Sequence, residues 1–309
     1  MAASVVPEIE LSPAQQEAAL QAAAAQEVLA RAVAQVPSEE RRPLGQNGRT
    51  LWESYGGKAI DALLEHTPLI DIEYLISLGE HGGIVPRGQE VPQAALITVD
   101  EAWRLRLWPF IDSLAVLVLS YPWLDYFHPD VCGSQLTRWL PIFKLMLKAA
   151  KSYSPHATVG VMMDYMSLPQ MPRSESETAR FERSLHAMNE WYFHPFTVVL
   201  LVTTPPPDVD SHAYSNGRTY HERGWCNFEM NACLTIKNDQ CLWDLSQMRD
   251  GVAEYGAHGY PAPPDTLVGL LKAGRSPPLS PPLFASRLRA GVAGGTIRFT
   301  NADHDVVVD

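Results

Sequence analysis

Positive charge is scarce in this sequence: 24 Lys and Arg stand against 35 Asp and Glu, a formal net charge of −11 over 309 residues. Nucleic acids and anionic membrane surfaces are bound through clustered cationic side chains, so neither is expected as a partner. Cysteine is scarce as well. Cys132, Cys226, Cys233 and Cys241 are too few and too irregularly spaced for a disulfide framework, which fits a reducing compartment. Long hydrophobic runs are missing: the longest, residues 114–119 with its flanks, is far below the ~18 residues that cross a bilayer. The first residues have no basic segment followed by an apolar one, and they carry Glu8, Glu10 and Glu17 where an organellar address is rich in Arg. A cytoplasmic location is the expectation. Also absent are a G-x-x-x-x-G-K-[ST] phosphate loop, a G-x-G-x-x-G after a strand and a G-x-S-x-G elbow.

What is present is enough apolar material for a large core, 46% of residues against 19% charged. Residues 12–36 predict a helix, with Ser12 as cap and Pro13 in the first turn. Its apolar stripe is mostly alanine, which reads as a surface helix. Residues 37–57 read as a linker and residues 58–76 as helical. From Ala95 the texture changes. Residues 95–99 suit a strand, and Asp100 suits the cap of a short helix to Leu107. Three apolar runs follow, residues 111–121, 157–164 and 197–203, alternating with amphipathic helices over 133–152, 175–192 and about 221–237. Strands apolar on both faces, each followed by a helix, predict a parallel sheet covered on both sides. The fold class expected is therefore α/β: a three-layer, mainly parallel sheet flanked by helices, with a helical N-terminal extension. Short strands are added at 241–245 and 295–300, and a short helix at 267–273. Three sections result: a helical extension and linker over 1–110, the α/β core over 111–245, and a Pro-rich section over 246–309 that completes or flanks the core.

Ligands of open parallel sheets bind beyond the carboxyl ends of the strands. The candidates there are Ser120, Tyr121, Trp123 and Asp125 after the first run, Asp164, Tyr165 and Ser167 after the second, and Arg223, Trp225 and Glu229 at the opening of the third helix. Trp225, Ala232 and Ile236 recur at helical spacing and are expected to face the sheet, which puts Glu229 on a buried stripe. Burial raises a carboxyl's pKa and a nearby helix N-terminus lowers it. A structural alternative is that Glu229 caps its own helix or pairs with Arg223. No metal site is expected. Cys226 and Cys233 are separated by ~10.5 Å along one helix, and nothing in the spacing of His212, His221 and Cys226 demands a shared ion. His128-Pro129-Asp130 also spells the J-domain tripeptide, but it follows a buried strand rather than joining two helices.

The order of these segments resembles the Toll/interleukin receptor (TIR) domain. A strand closes on Ser120-Tyr121, another on Asp164, and the third helix opens with Arg223-Gly224-Trp225-Cys226-Asn227-Phe228-Glu229-Met230, matching a W-C-x-x-E spacing. Arg223 stands where that family usually has Ser, and Met230 where it has Leu. The H-P-D, D-Y-x-S-L-P-Q and R-G-W-C-x-x-E series also resembles the TIR-like fungal heterokaryon-incompatibility (HET) domains and related algal and protist proteins. The resemblance covers about residues 114–245. It implies a flavodoxin-like, TIR-like fold and an intracellular signalling protein that cleaves the N-glycosidic bond of NAD or a related nucleotide. NAD would be substrate, so no cofactor is implied. Glu229 would be the catalytic carboxylate, Tyr121 and Trp123 would stack on a base, and Ser120 or Asp164 would bond ribose or amide groups. The alternative that it implies is a non-catalytic module acting through self-association or TIR-like partners.

Overall fold

The computed structural model describes residues 10–41, 46–105, 116–206, 214–256, 262–274, 277 and 279–299. The strands are β1 (Leu69–Asp71), β2 (Leu96–Ile97), β3 (Val116–Ser120), β4 (Gly160–Met162), β5 (Val198–Leu201) and β6 (Leu242–Asp244). The helices are α1 (Pro13–Ala34), α2 (Ser38–Arg41), α3 (Gln46–Ser54), α4 (Gly57–Leu64), α5 (Ile72–Glu80), α6 (Ser134–Tyr153), α7 (Asp164–Ser167), α8 (Glu175–Phe193), α9 (Gly224–Ile236), α10 (Leu267–Leu271) and α11 (Pro281–Ala293).

All six strands form one sheet in the order β2-β1-β4-β3-β5-β6. The four on the β4 to β6 side run parallel, while β1 pairs antiparallel with both β4 and β2. The α/β class, the mainly parallel sheet and the N-terminal helix are as the sequence predicts. Every residue of β3, β4 and β5 is buried, because helices cover both faces. Leu117, Leu119, Val161 and Leu200 pack with α5, α6 and α10 on one side. Val116, Val118, Met162, Val199 and Leu201 pack with α4, α8 and α9 on the other.

The four parallel strands, numbered in chain order, lie 2-1-3-4, the order in which flavodoxin-like sheets open. The chain leaves β3 across one face to reach β4, then crosses back over the other face to β5. The connections leaving β3, toward β4, and leaving β5, toward β6, therefore diverge, and the crevice beyond their carboxyl ends is the topological switch point.

The ends of the chain depart from the sequence reading. Residues 69–71, read as helical, are β1, and with β2 they carry the first section into the sheet. Helix α1 is capped by Ser12 as expected and lies at the surface, with Leu20 71% and Val28 67% exposed, but one stripe of it is anchored to the core. Ala18 and Ala22 are buried, with Ala22 in the core among residues of α5; small side chains let the helix lie close. Gln26 Nε2 donates to Asp71 Oδ2 at 3.3 Å and to the Ala94 carbonyl at 2.9 Å. Asp71 also receives Arg104 Nη1 at 2.9 Å, Thr158 Oγ1 at 2.7 Å and the Glu73 amide at 2.9 Å. Asp100 lies inside a 3-10 segment, Val99–Leu105, instead of capping it. Helix α11 was hidden by prolines that occupy its first turn. Near Arg298 the expected strand is a single parallel bridge to Arg223. The expected positions 106–107, 111–115 and 300 lie outside the described residues, as does His212.

Candidate functional site at the switch point

Val116 and Val118 of β3 face α8 and α9, and Ser120, two residues further, follows them by strand alternation. Val118 is in register with Met162 of β4, so Asp164 stands beside Ser120 where both strands end. Helix α9 then brings Glu229 over this pair. The helix is turned about one residue from the expected orientation. Ile236 is 49% exposed and Trp225 is partly exposed, while Cys226, Ala232, Cys233 and Leu234 are buried. Glu229 belongs to the stripe of Cys226 and Cys233, three residues after one and four before the other.

Ser120 Oγ donates to Glu229 Oε2 at 2.6 Å, and the same hydroxyl shares a 2.6 Å hydrogen bond with the Tyr220 hydroxyl. The Tyr192 hydroxyl is a second partner of the Glu229 carboxyl and donates to the Leu119 carbonyl at 3.3 Å. Asp164 accepts from Trp123 Nε1 at 3.1 Å, from the Tyr165 amide at 2.7 Å and from the Tyr121 hydroxyl. Ser120, Tyr121, Tyr192 and Tyr220 are buried, whereas Trp123, Asp164 and Glu229 keep partial solvent access. The surroundings are dense enough that burial still governs both carboxyls. It pushes Glu229 up to about 8, against the hydrogen bond from Ser120 and with the help of the Asp164 charge. Burial also raises Asp164, and its three donors oppose the rise. Tyr121 is pushed well up by burial and by Asp164.

Five of the ten sequence candidates thus meet: Ser120, Tyr121, Trp123, Asp164 and Glu229. Tyr165 borders them, its ring edge-on to Trp123 with centroids 5.3 Å apart. The other four have different engagements. Asp125 accepts from the amides of Phe127 at 3.2 Å and Ser215 at 3.4 Å, bracing its loop. Ser167 is buried and accepts from the Met163 amide at 3.3 Å. Arg223 does not pair with Glu229; its guanidinium donates to the carbonyls of Asn216 at 3.1 Å and Arg218 at 3.0 Å. Trp225 packs edge-on to Phe228 with centroids 6.1 Å apart. Sequence reasoning missed Tyr192 and Tyr220. A tyrosine on the apolar face of a helix, as Tyr192 is, needs a partner for its hydroxyl, and that was the available signal.

Helix α9 is pinned at both ends. At its start the Gly224 amide donates to the Arg298 carbonyl at 2.9 Å, and the Arg298 amide to the Glu222 carbonyl at 3.0 Å. Past its end Lys237 is buried, and its ammonium donates to the Thr197 carbonyl and Thr197 Oγ1, each at 2.5 Å, and to the His194 carbonyl.

Compared with known proteins, the chain matches no family model, no curated protein and no solved structure. Among the described residues no three His, Cys, Asp or Glu gather in a metal-holding group, and no helix is long and apolar enough to cross a membrane.

Proposed function

We propose that the chain is a nucleotide-directed N-glycosidase of TIR-like or HET-like type, acting in intracellular signalling, with Glu229 as the catalytic carboxyl. The observation that carries this reading is the pair of carboxyls at the switch point. Glu229 is raised to about 8 beside Asp164, and both have partial access to solvent. Breaking a glycosidic bond develops positive charge on the sugar, which the ionised form of Glu229 in a poorly hydrated site stabilises, so activity is expected to rise with pH through about 8. Tyr121 and Trp123 are fixed by their bonds to Asp164; Tyr121 is buried against Trp139, so Trp123, which keeps partial solvent access, is the ring that would stack on a base. The W-C-x-x-E spacing at Trp225, Cys226 and Glu229 supports the same assignment by resemblance.

The test is incubation of the purified chain with NAD and with nucleosides and nucleotides, measuring the released base, beside Glu229→Gln. Release well above background that disappears in the variant is expected. Background release from every substrate would overturn the reading. It would favour the second one, a module that self-associates or binds TIR-like partners. That reading draws on the hydrogen bonds from Ser120 and Tyr192, which would then serve only to order the core.

A further inference from the structure

Ser120 and Tyr220 are both buried, while Glu229 keeps partial solvent access. The line of bonds from Tyr220 through Ser120 to Glu229 therefore runs from the core toward solvent. Its direction follows from counting protons. Ser120 Oγ gives its one proton to Glu229 Oε2, so the Tyr220 hydroxyl, 2.6 Å from Ser120 Oγ, is the donor in the other bond. A hydroxyl that accepts a hydrogen bond is polarised into a better donor. Tyr220 thereby strengthens the bond that Ser120 makes to the carboxylate.

Tyr220 is itself fixed by the backbone around it. It opens the 3-10 turn Tyr220–Glu222 that leads into α9. There the Thr219 amide donates to the Glu222 carboxylate at 2.7 Å, the Arg223 amide to the Tyr220 carbonyl at 3.3 Å and the Arg298 amide to the Glu222 carbonyl at 3.0 Å. The end of β3, this turn and α9 are thus joined at three hydroxyl and carboxyl groups, with Glu229 at the solvent end.

Resting on the glycosidase reading for its place in a reaction, we infer that Tyr220 is a positioning residue for Glu229, acting through Ser120 to orient the carboxylate and support its ionised form without touching substrate. Ser120, whose proton goes to Glu229, is then a support of the carboxyl rather than a contact to ribose. Each donor aimed at a carboxylate favours the anion, so losing the relay raises the pH at which Glu229 ionises. The titratable groups that face Glu229 are Asp164 beyond β4, Tyr121 after β3, Tyr192 of α8, Tyr220, and Cys226 and Cys233 of its own helix. Burial pushes these phenols and thiols up, Cys233 to about 12. They stay neutral where Glu229 titrates, and Asp164 is the charge that it meets.

The experiment titrates Glu229 in the full chain, labelled with carbon-13 at the glutamate carboxyls and followed by NMR, with Glu229→Gln identifying the signal. The parent midpoint is expected at about 8. Tyr220→Phe, which keeps the ring, is expected to hold the Glu229 proton about threefold more tightly, and Ser120→Ala about tenfold or more. Ser184→Ala removes another buried hydroxyl, one that donates to the His66 carbonyl at 3.0 Å, and is expected to lower stability without moving the midpoint. Base release from NAD, nucleosides and nucleotides is read on the same proteins. In Tyr220→Phe, kcat below the midpoint is expected to fall about threefold with KM unchanged. A Tyr220→Phe midpoint equal to the parent's overturns the inference whether or not base is released, and so does an equal displacement in Ser184→Ala, which would assign the effect to loosened packing. A raised KM with unchanged kcat would put Tyr220 against the substrate and overturn it too. A midpoint displaced in Tyr220→Phe alongside no release from any compound supports the relay to Glu229 and overturns the glycosidase reading.

Discussion

Ser120 and Glu229 lie 109 positions apart in the chain and 2.6 Å apart in space. The contact joins the end of the central strand to the helix that follows the third parallel strand, and it links Glu229 to Tyr220 through one hydroxyl.

Removing that hydroxyl strands its neighbours. Ser120→Ala leaves the Tyr220 hydroxyl buried without this partner, and the expected cost is about 1–3 kcal/mol. Tyr220→Phe is expected to cost less. In the double variant the two losses should sum to less than their separate values, since either one already breaks the chain of bonds. Denaturant unfolding of the four proteins checks this; strict additivity would mean that the hydroxyls are not coupled.

Glu229 sets a pH dependence of stability. Its carboxyl rises from an ordinary 4.5 to about 8 in the folded protein. The unfolded chain gives up this proton first, so between those values the folded state holds more protons and stability falls as pH rises. Glu229→Gln stays neutral and removes that slope. Unfolding midpoints of parent and variant should lie close at pH 5, with the variant ahead at pH 8. A difference that does not change with pH would show a carboxyl with ordinary hydration.

Asp71 holds four donors from four parts of the chain. Asp71→Ala leaves the Arg104 guanidinium, whose side chain is 4% exposed, without its counter-charge, and the expected loss is about 3–5 kcal/mol. Gln26→Leu removes an uncharged donor from the same carboxylate together with its bond to the Ala94 carbonyl, and should cost about 1–2 kcal/mol. Chemical denaturation separates the two. Similar losses would place the strength of the cluster in the helix contact rather than in the ion pair.

Gly224 leaves no room for a side chain. A Cβ there would lie 2.2 Å from the Phe299 ring, so Gly224→Ala must push the 298–299 segment away from the start of α9. Destabilisation of about 1–3 kcal/mol is expected, with faster proteolysis of the C-terminal segment. Gly217→Ala, which meets nothing within 4 Å, is the control. Equal proteolysis of both variants would show that the segment is not held at Gly224.

The parallel core is legible because its pattern is local: strands covered on both faces are apolar throughout, and their helices repeat every three or four residues. What was not legible depends on distant contacts. A three-residue strand running directly into α5 has no alternation to read, so β1 looked helical. Alanines mark a tight helix contact as well as a weak surface one, and only Asp71, 45 residues on, decides for Gln26. The prolines of the 246–309 section gave no sign of a helix, yet they are compatible with the first turn of α11, because that turn's amides need no helical partner. At the site, strand ends and helix spacing pointed to Ser120, Asp164 and Glu229. The one-residue rotation of α9 follows from how Cys226 and Cys233 fill the core, which spacing alone does not fix. A pair between Arg223 and Glu229, six residues on, was one alternative the sequence offered, whereas the guanidinium organises the loop carbonyls of Asn216 and Arg218.

The antiparallel pairing of β1 with β4, Ile70 opposite Val161 and Asp71 opposite Gly160, governs how the protein can be dissected. A fragment limited to residues 111–245 keeps the whole parallel run and both carboxyls, yet it bares one flank of β4 as a row of unpaired amides and carbonyls. Such an edge recruits strands from other molecules. Clumping of that fragment would report a missing neighbour strand rather than a faulty core, and supplying residues 10–105 as a separate chain is the direct remedy.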